Sequence, residues 1–391
     1  LTAGSAGASP AGDHLALDAD AILADPGVRI VVCCGAGGVG KTTTAAACAL
    51  RAAEEHGRRT VVLTIDPARR LAQALGLTEL DNQPRLVKTG GDGELHAMML
   101  DMKRTFDEVV EAHTEPGRAQ EIFANPFYQA MSSTFSGTQE YMAMEKLGQL
   151  RATDRWDLIV VDTPPSRSAL DFLDAPARLA RFLDGRMLRL LLAPARAGGR
   201  SMFHLVTASF GAFSKVVERV VGSQLLSDLA GFVEALDSMF GGFRQRAERT
   251  YRVLQDDQTA FLLVAAPEAD AVREARYFAE RLIDERMPLG GLILNRVHHT
   301  AVPALSAGDS RRAAGEIEDD HPATAAALRV HAELVQRVVH EQRMSARFTR
   351  TFPAVPYLQI PAQPTDVHDL DGLRAIGAAL ASRPAGSART G

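Results

Sequence analysis

Apolar residues gather in short runs separated by longer amphipathic stretches. Val28 to Cys34 is the first such run and ends on a glycine-rich turn. Thr60 to Ile65, Leu95 to Asp101, Leu158 to Val161, Phe261 to Ala265, Leu292 to Leu294 and Val355 to Ile360 repeat the pattern. Runs of this length bounded by turn residues predict buried strands. Lys41 to Glu55 is Ala-rich and predicts a helix, and a shorter helix is expected near Leu15 to Leu23. Strands that alternate with helices, and are apolar on both faces, predict an α/β fold: a doubly wound, mostly parallel sheet covered on both sides.

The alternation breaks between Ala177 and Asp257. There Phe203, Val206, Phe210, Phe213, Val217 and Val220 recur at helical spacing, as do Leu225, Leu229, Phe232, Leu236 and Phe240. Ile122 to Met131 and Tyr141 to Leu150 read similarly. Such stripes belong to amphipathic helices. They predict a helical subdomain, at about 104–150 and 177–257, inserted into a single domain spanning 14–380. Met202, Phe203, Phe210, Phe213, Phe232, Met239, Phe240 and Phe243 within it suit either an ordinary core or an adaptable apolar groove. Residues 298–324 are polar and turn-rich and are expected to form a surface loop. The ends, 1–13 and 381–391, are rich in small residues and are expected to be disordered.

Composition narrows the classes. The 391 residues carry a net charge of −5, so non-specific nucleic-acid binding, which needs a basic surface, is not expected. No apolar run reaches the length of a membrane span, and Leu1 to Pro26 lacks the pattern of a signal peptide, so a cytoplasmic protein is expected. Three cysteines, Cys33, Cys34 and Cys48, are too few for a disulfide framework and lack metal-ligand spacing. His298 and His299 read as solvated, Glu268 as a helix cap, and the charges of 270–286 as an exposed helix face.

The chemistry concentrates in Gly35-Ala36-Gly37-Gly38-Val39-Gly40-Lys41-Thr42, which fits G-x-x-x-x-G-K-[ST] between a predicted strand and helix. Glycines let the backbone N–H groups converge on phosphate oxygens, aided by the positive helix end. Lys41 would neutralise the β- and γ-phosphates and Thr42 would serve Mg²⁺, with Thr43 continuing the lining. Asp162 ends the run Leu158 to Val161 and could hold the metal shell. Asp66 ends the run Thr60 to Ile65 and could orient water.

Taken in order, Gly37 to Thr42, Asp66-Pro67-Ala68 and Asp162-Thr163-Pro164-Pro165-Ser166 resemble the ArsA/Get-type ATPases, the arsenical-pump and tail-anchored-protein targeting ATPases, and more closely their actinobacterial "anion-transporting ATPase" branch. The resemblance covers roughly Val28 to Ala379. It implies ATP/ADP and Mg²⁺ as ligands, and Asp66 as the switch I residue that polarises the attacking water. It also implies a switch II at Asp162 to Ser168, and adenine contacts at Asn295 and in the loop from Pro361 to Asp366. It implies a dimer whose helical domain opens and closes on a hydrophobic protein client.

Three departures are visible. Ala36 stands where the family's signature lysine reaches across the dimer; Arg69, Arg70 or a paralogous partner chain could replace that charge. Arg167 and Ser168 follow Ser166 in place of the usual Gly and His. Neither a zinc-binding C-x-x-C pair nor the pump's cysteine triad has a counterpart, so no zinc or arsenite site is expected. The sequence therefore predicts a Mg²⁺-dependent ATPase working as a homodimer or a heterodimer. A nucleotide-gated assembly subunit with little turnover is the rival reading. A partitioning-type positioning ATPase is disfavoured by the long helical insert.

Overall fold

The computed structural model describes residues 15–66, 70–126, 128–129, 138–164 and 245–381. Eight strands form one sheet in the order β3-β4-β2-β5-β1-β6-β7-β8. In chain order these are β1 (Ile30–Cys34), β2 (Arg59–Thr64), β3 (Arg85–Val87), β4 (Glu94–Met99), β5 (Leu158–Asp162), β6 (Thr259–Ala265), β7 (Leu289–Val297) and β8 (Tyr357–Pro361). All neighbours are parallel except β3 and β4. The chain builds one flank through β2, β3 and β4, returns to β5 beside β1, and only then builds the other flank. Ligands in such sheets bind beyond the C-terminal strand ends, at the point where the winding reverses. Here that point is β1.

Side chains of a strand alternate between faces, and β1 divides accordingly. Ile30, Val32 and Cys34 join a core with Phe106, Phe278 and Phe348, while Val31 and Cys33 face the alanines of α2. The first core lies under α4 (Met102–His113), α5 (Pro116–Ala124), α6 (Thr138–Ala152), α8 (Ala269–Asp284) and α10 (Pro322–Thr351). The second lies under α1 (Ala19–Ala24), α2 (Lys41–Glu54), α3 (Arg70–Ala74) and α11 (Leu370–Ala381). Ala45, Ala46, Ala47 and Ala49 are fully buried, because α2 is held between the sheet and α11 and has room only for small side chains. Arg58, at the start of β2, is buried as well. Its guanidinium donates to the carbonyls of Leu23 and Asp25 (2.9 and 3.1 Å) and of Val28 and Asp157 (both 2.6 Å), and so ties α1 to the entries of β1 and β5.

The structure departs from the sequence reading in several places. β3 was not expected. It is three residues long and antiparallel, with Leu86 exposed on the sheet edge. The predicted loop of 298–324 contains α9 (Ala307–Glu316). Ser306 caps α9 by accepting from the Asp309 N–H, and its buried stripe is only Ser310 and Ala314, too polar to register as amphipathic. His298 is not a solvated side chain: its Nδ1 lies 2.7 Å from Glu341 on α10. The first helix begins at Ala19, and Ala16 instead bridges to Tyr357. Of the expected helical insert, α4, α5, α6 and a helix α7 over 245–255 are seen. The remainder, with the candidate groove residues, lies outside the described residues, as do Arg69 and the switch II residues from Pro165 to Ser168.

Candidate functional site

The loop after β1 curls because three of its glycines, Gly35, Gly38 and Gly40, take conformations other residues resist. Gly35 has φ 150°, and a Cβ there would stand 2.0 Å from the Val264 carbonyl oxygen of β6. Gly40, the N-cap of α2, has φ 93°, and its Cβ would meet the Asn295 amide nitrogen at 2.2 Å. A left-handed backbone is open to glycine at little cost. The loop is therefore pressed from behind by β6 and β7.

Lys41, the first residue of α2, is buried, and its Nζ donates to the Ala36 carbonyl at 2.7 Å. Burial pulls its ammonium below the usual lysine range, with the Asp162 carboxylate the strongest influence in the other direction. Asp162, the last residue of β5, is wholly buried. Its Oδ2 accepts from the hydroxyls of Thr42 (2.8 Å) and Thr64 (2.9 Å). Burial pushes its carboxyl up to about 6 even though both hydroxyls pull it down. Its Oδ1 has no hydrogen-bond partner among the described residues. A buried carboxylate oxygen left unsatisfied costs free energy, and an oxygen-seeking dication is the partner that would satisfy it. With the Thr42 hydroxyl alongside, these residues fit Mg²⁺.

A cavity of about 520 Å³ opens over these groups. Gly38, Gly40, Lys41, Thr42, Thr43 and Asp66 line it together with Arg70, Gln73, Ala74, Arg296, Asp366, Val367 and His368. Asp66 follows β2 at the cavity rim, its N–H donating to the Thr64 hydroxyl at 3.2 Å. Of the sequence-predicted residues, Gly35, Gly37, Val39, Asp162, Asn295 and Pro361 do not line the cavity. Gly35 and Val39 belong to the back of the loop, where the Asn295 side-chain nitrogen donates to the Val39 carbonyl at 2.9 Å. Asp162 lies beneath Thr42. Pro361 ends β8, and the loop it begins reaches the cavity only at Asp366 to His368.

Sequence reasoning missed Thr64, Gln73, Arg296, Val367 and His368. Thr64 carried a signal, being a hydroxyl at the C-terminal end of an otherwise apolar strand. Arg296 carried none, because its position depends on a register shift between Leu294 and Val297 in the pairing of β7 with β8.

The model of the "Anion-transporting ATPase" family matches residues 28–311, which include the loop, Asp66, Asp162 and Asn295. Among curated relatives, "ATPase BagA" of Mycobacterium tuberculosis is 26% identical over 379 residues, covering 91% of this chain and 94% of that one. "ATPase GET3" of Malassezia globosa is 26% identical over 273 residues, or 69% of this chain and 71% of the relative. The "Putative arsenical pump-driving ATPase" of Prosthecochloris vibrioformis is 31% identical over 157 residues, covering 39% of this chain and only 37% of its own length.

Proposed function

The chain belongs to the anion-transporting ATPase family and is an ATPase, and from that premise we propose that it binds Mg·ATP in the cavity beyond β1 and cleaves it to ADP and phosphate. The observation that carries this reading is the buried Asp162 carboxylate. One oxygen is held by Thr42 and Thr64 and the other has no partner among the described residues, beside Lys41 and under a cavity that also reaches Asp66. Loop N–H groups and Lys41 hold the β- and γ-phosphates. Thr42, with Asp162 directly or through water, would hold Mg²⁺, which when bound neutralises phosphate charge. Asp66 accepts a hydrogen bond from the attacking water and aims it at the γ-phosphorus. The water oxygen bonds to that phosphorus as its bond to the β–γ bridging oxygen breaks, the water's proton passes to Asp66 or a phosphate oxygen, and ADP leaves with the electron pair.

The resemblance supports a larger cycle. In this reading the chain works as a dimer in the cytoplasm, and nucleotide state opens and closes a helical subdomain at about 104–150 and 177–257 on a hydrophobic client. The loop that Pro361 begins meets the adenine end where it reaches the cavity, at Asp366, and Asn295 braces the phosphate loop from behind. One feature favours a second reading, an assembly subunit that binds ATP but turns it over slowly beside a paralogous partner: Ala36 brings no side-chain charge to the loop and offers Lys41 only its carbonyl. Charge supplied by a partner accelerates related phosphoryl transfers by ~10³–10⁵.

Steady-state hydrolysis by the chain alone, beside Lys41→Ala and Asp66→Asn, separates the two. Turnover abolished by both substitutions supports the self-sufficient ATPase. Absent turnover, with ATP-dependent thermal stabilisation that Lys41→Ala removes, supports the partner-dependent subunit. If ATP had neither effect in excess Mg²⁺, the site assignment would fall.

A further inference from the structure

Lys41, Thr42, Asp162 and Asp66 put the phosphate chemistry over β1, β5 and β2. β5 and β2 lie on one side of the winding reversal at β1, whereas β6, β7 and β8 lie on the other. A nucleotide lying in the cavity that joins the two sides must carry its base toward the ends of β7 and β8. The cavity wall there consists of Arg296, Asp366, Val367 and His368.

Arg296 differs from its neighbours in three ways. It has φ 61°, a left-handed backbone that a non-glycine residue adopts at a cost. It sits in the register shift of β7 against β8, and such bulges re-aim a side chain. Its guanidinium makes no hydrogen bond or ion pair with any described residue, although Asp366 lines the same cavity, while its backbone N–H is held by the Asn295 Oδ1 at 3.0 Å. Among the described residues, this strained and exposed cation has no side-chain partner that accounts for its place in the cavity wall.

We propose that Arg296 is a nucleobase-contacting residue whose guanidinium stacks on the purine face of the bound nucleotide. Planar guanidinium groups stack on bases and hold an aromatic face by cation–π attraction. Stacking reads the base face, which every purine shares, so Arg296 adds affinity and leaves base choice to hydrogen-bonding groups. The assignment rests on the reading that this cavity takes ATP.

The test uses the full chain and Arg296→Gly. Glycine accepts the left-handed backbone without strain, so this variant folds as well as the parent and its melting temperature is unchanged or higher. ATP binding, read by calorimetry in Mg²⁺, weakens about tenfold. The inhibition constant of magnesium tripolyphosphate, which has no base, stays unchanged, and Arg296→Lys recovers only part of the loss. Equal weakening of ATP and tripolyphosphate would make Arg296 a phosphate ligand and overturn the proposal. Unchanged ATP affinity would overturn it alone, as would a melting temperature several degrees lower. A parent chain that binds neither ligand would remove the underlying reading and this assignment together.

Discussion

The Asn295 side-chain nitrogen donates to the Val39 carbonyl at 2.9 Å, joining residues 256 positions apart. The same nitrogen occupies the space that a Cβ on Gly40 would need. Gly40→Ala should therefore cost roughly 2 kcal/mol or more, from the left-handed backbone and from displacement of the buried amide. In an Asn295→Ala background the second part disappears, so the two substitutions should be less than additive. Urea titrations of the single and double variants check this, and strict additivity would mean that the contact carries no energy.

Asp162 gives a pH signature. Its carboxyl titrates at about 6 in the folded chain and near 3.9 when unfolded. Between those values the folded state holds the extra proton, so its contribution is full below the unfolded value and is lost as pH rises through 6. Asp162→Asn removes the buried charge and keeps the shape. Without nucleotide or Mg²⁺ the variant should be more stable than the parent at pH 8, by up to about 3 kcal/mol, and should converge with it below pH 4. With Mg·ATP the order should reverse, because only the ionised carboxylate serves the metal. Thermal melts across that range, with and without ligand, decide it.

Arg58 is expected to be structural only. Arg58→Met would strand carbonyls of Leu23, Asp25, Val28 and Asp157 in or near the core and should cost ~2–4 kcal/mol. ATP affinity measured well below the melting temperature should stay within twofold of the parent. A selective loss of binding would tie Arg58 to the site after all.

Glu54 and Arg374 look stronger than they should prove. The guanidinium donates at 3.0 and 2.9 Å to the two carboxylate oxygens, and this pairing, more than any other influence, holds the Glu54 carboxyl below its usual range. Yet the Arg374 side chain is 42% exposed, and exposed pairs are worth about 0.2–1 kcal/mol. The coupling energy from a Glu54→Gln and Arg374→Gln cycle should fall in that range. It should be present above the unfolded carboxyl pKa, fade as pH falls through the folded one, and shrink in high salt.

Much of the fold could be read from the chain because its central strands are buried on both faces. β1, β5 and β6 are uninterrupted apolar runs whose ends the sequence marks within a residue or two. β3 and α9 could not be read this way. Leu86 points its apolar side chain at solvent, and α9 buries a serine and an alanine, so neither element displays the period of its class. The phosphate end of the site was legible because backbone geometry demands particular residues at Gly35, Gly40 and Lys41. The other end depends on where β7 slips against β8, a property of pairing that no single segment encodes. For that reason Asn295 enters the sequence reading only through the family resemblance, and Arg296, the next residue, draws no expectation at all.

The glycine loop leaves the ribosome early, but the two groups that press on its back, the Val264 carbonyl and the Asn295 amide, are translated far later. A nascent chain ending at β5 holds every residue of the phosphate motif and lacks the scaffolding that shapes it. Nucleotide recognition should thus be a late event of synthesis. Chains stalled before β7 should pass through an ATP resin, and retention should begin only once Asn295 has cleared the exit tunnel. A destabilised late strand would then surface as a failure to bind nucleotide, even though the motif that binds it is intact.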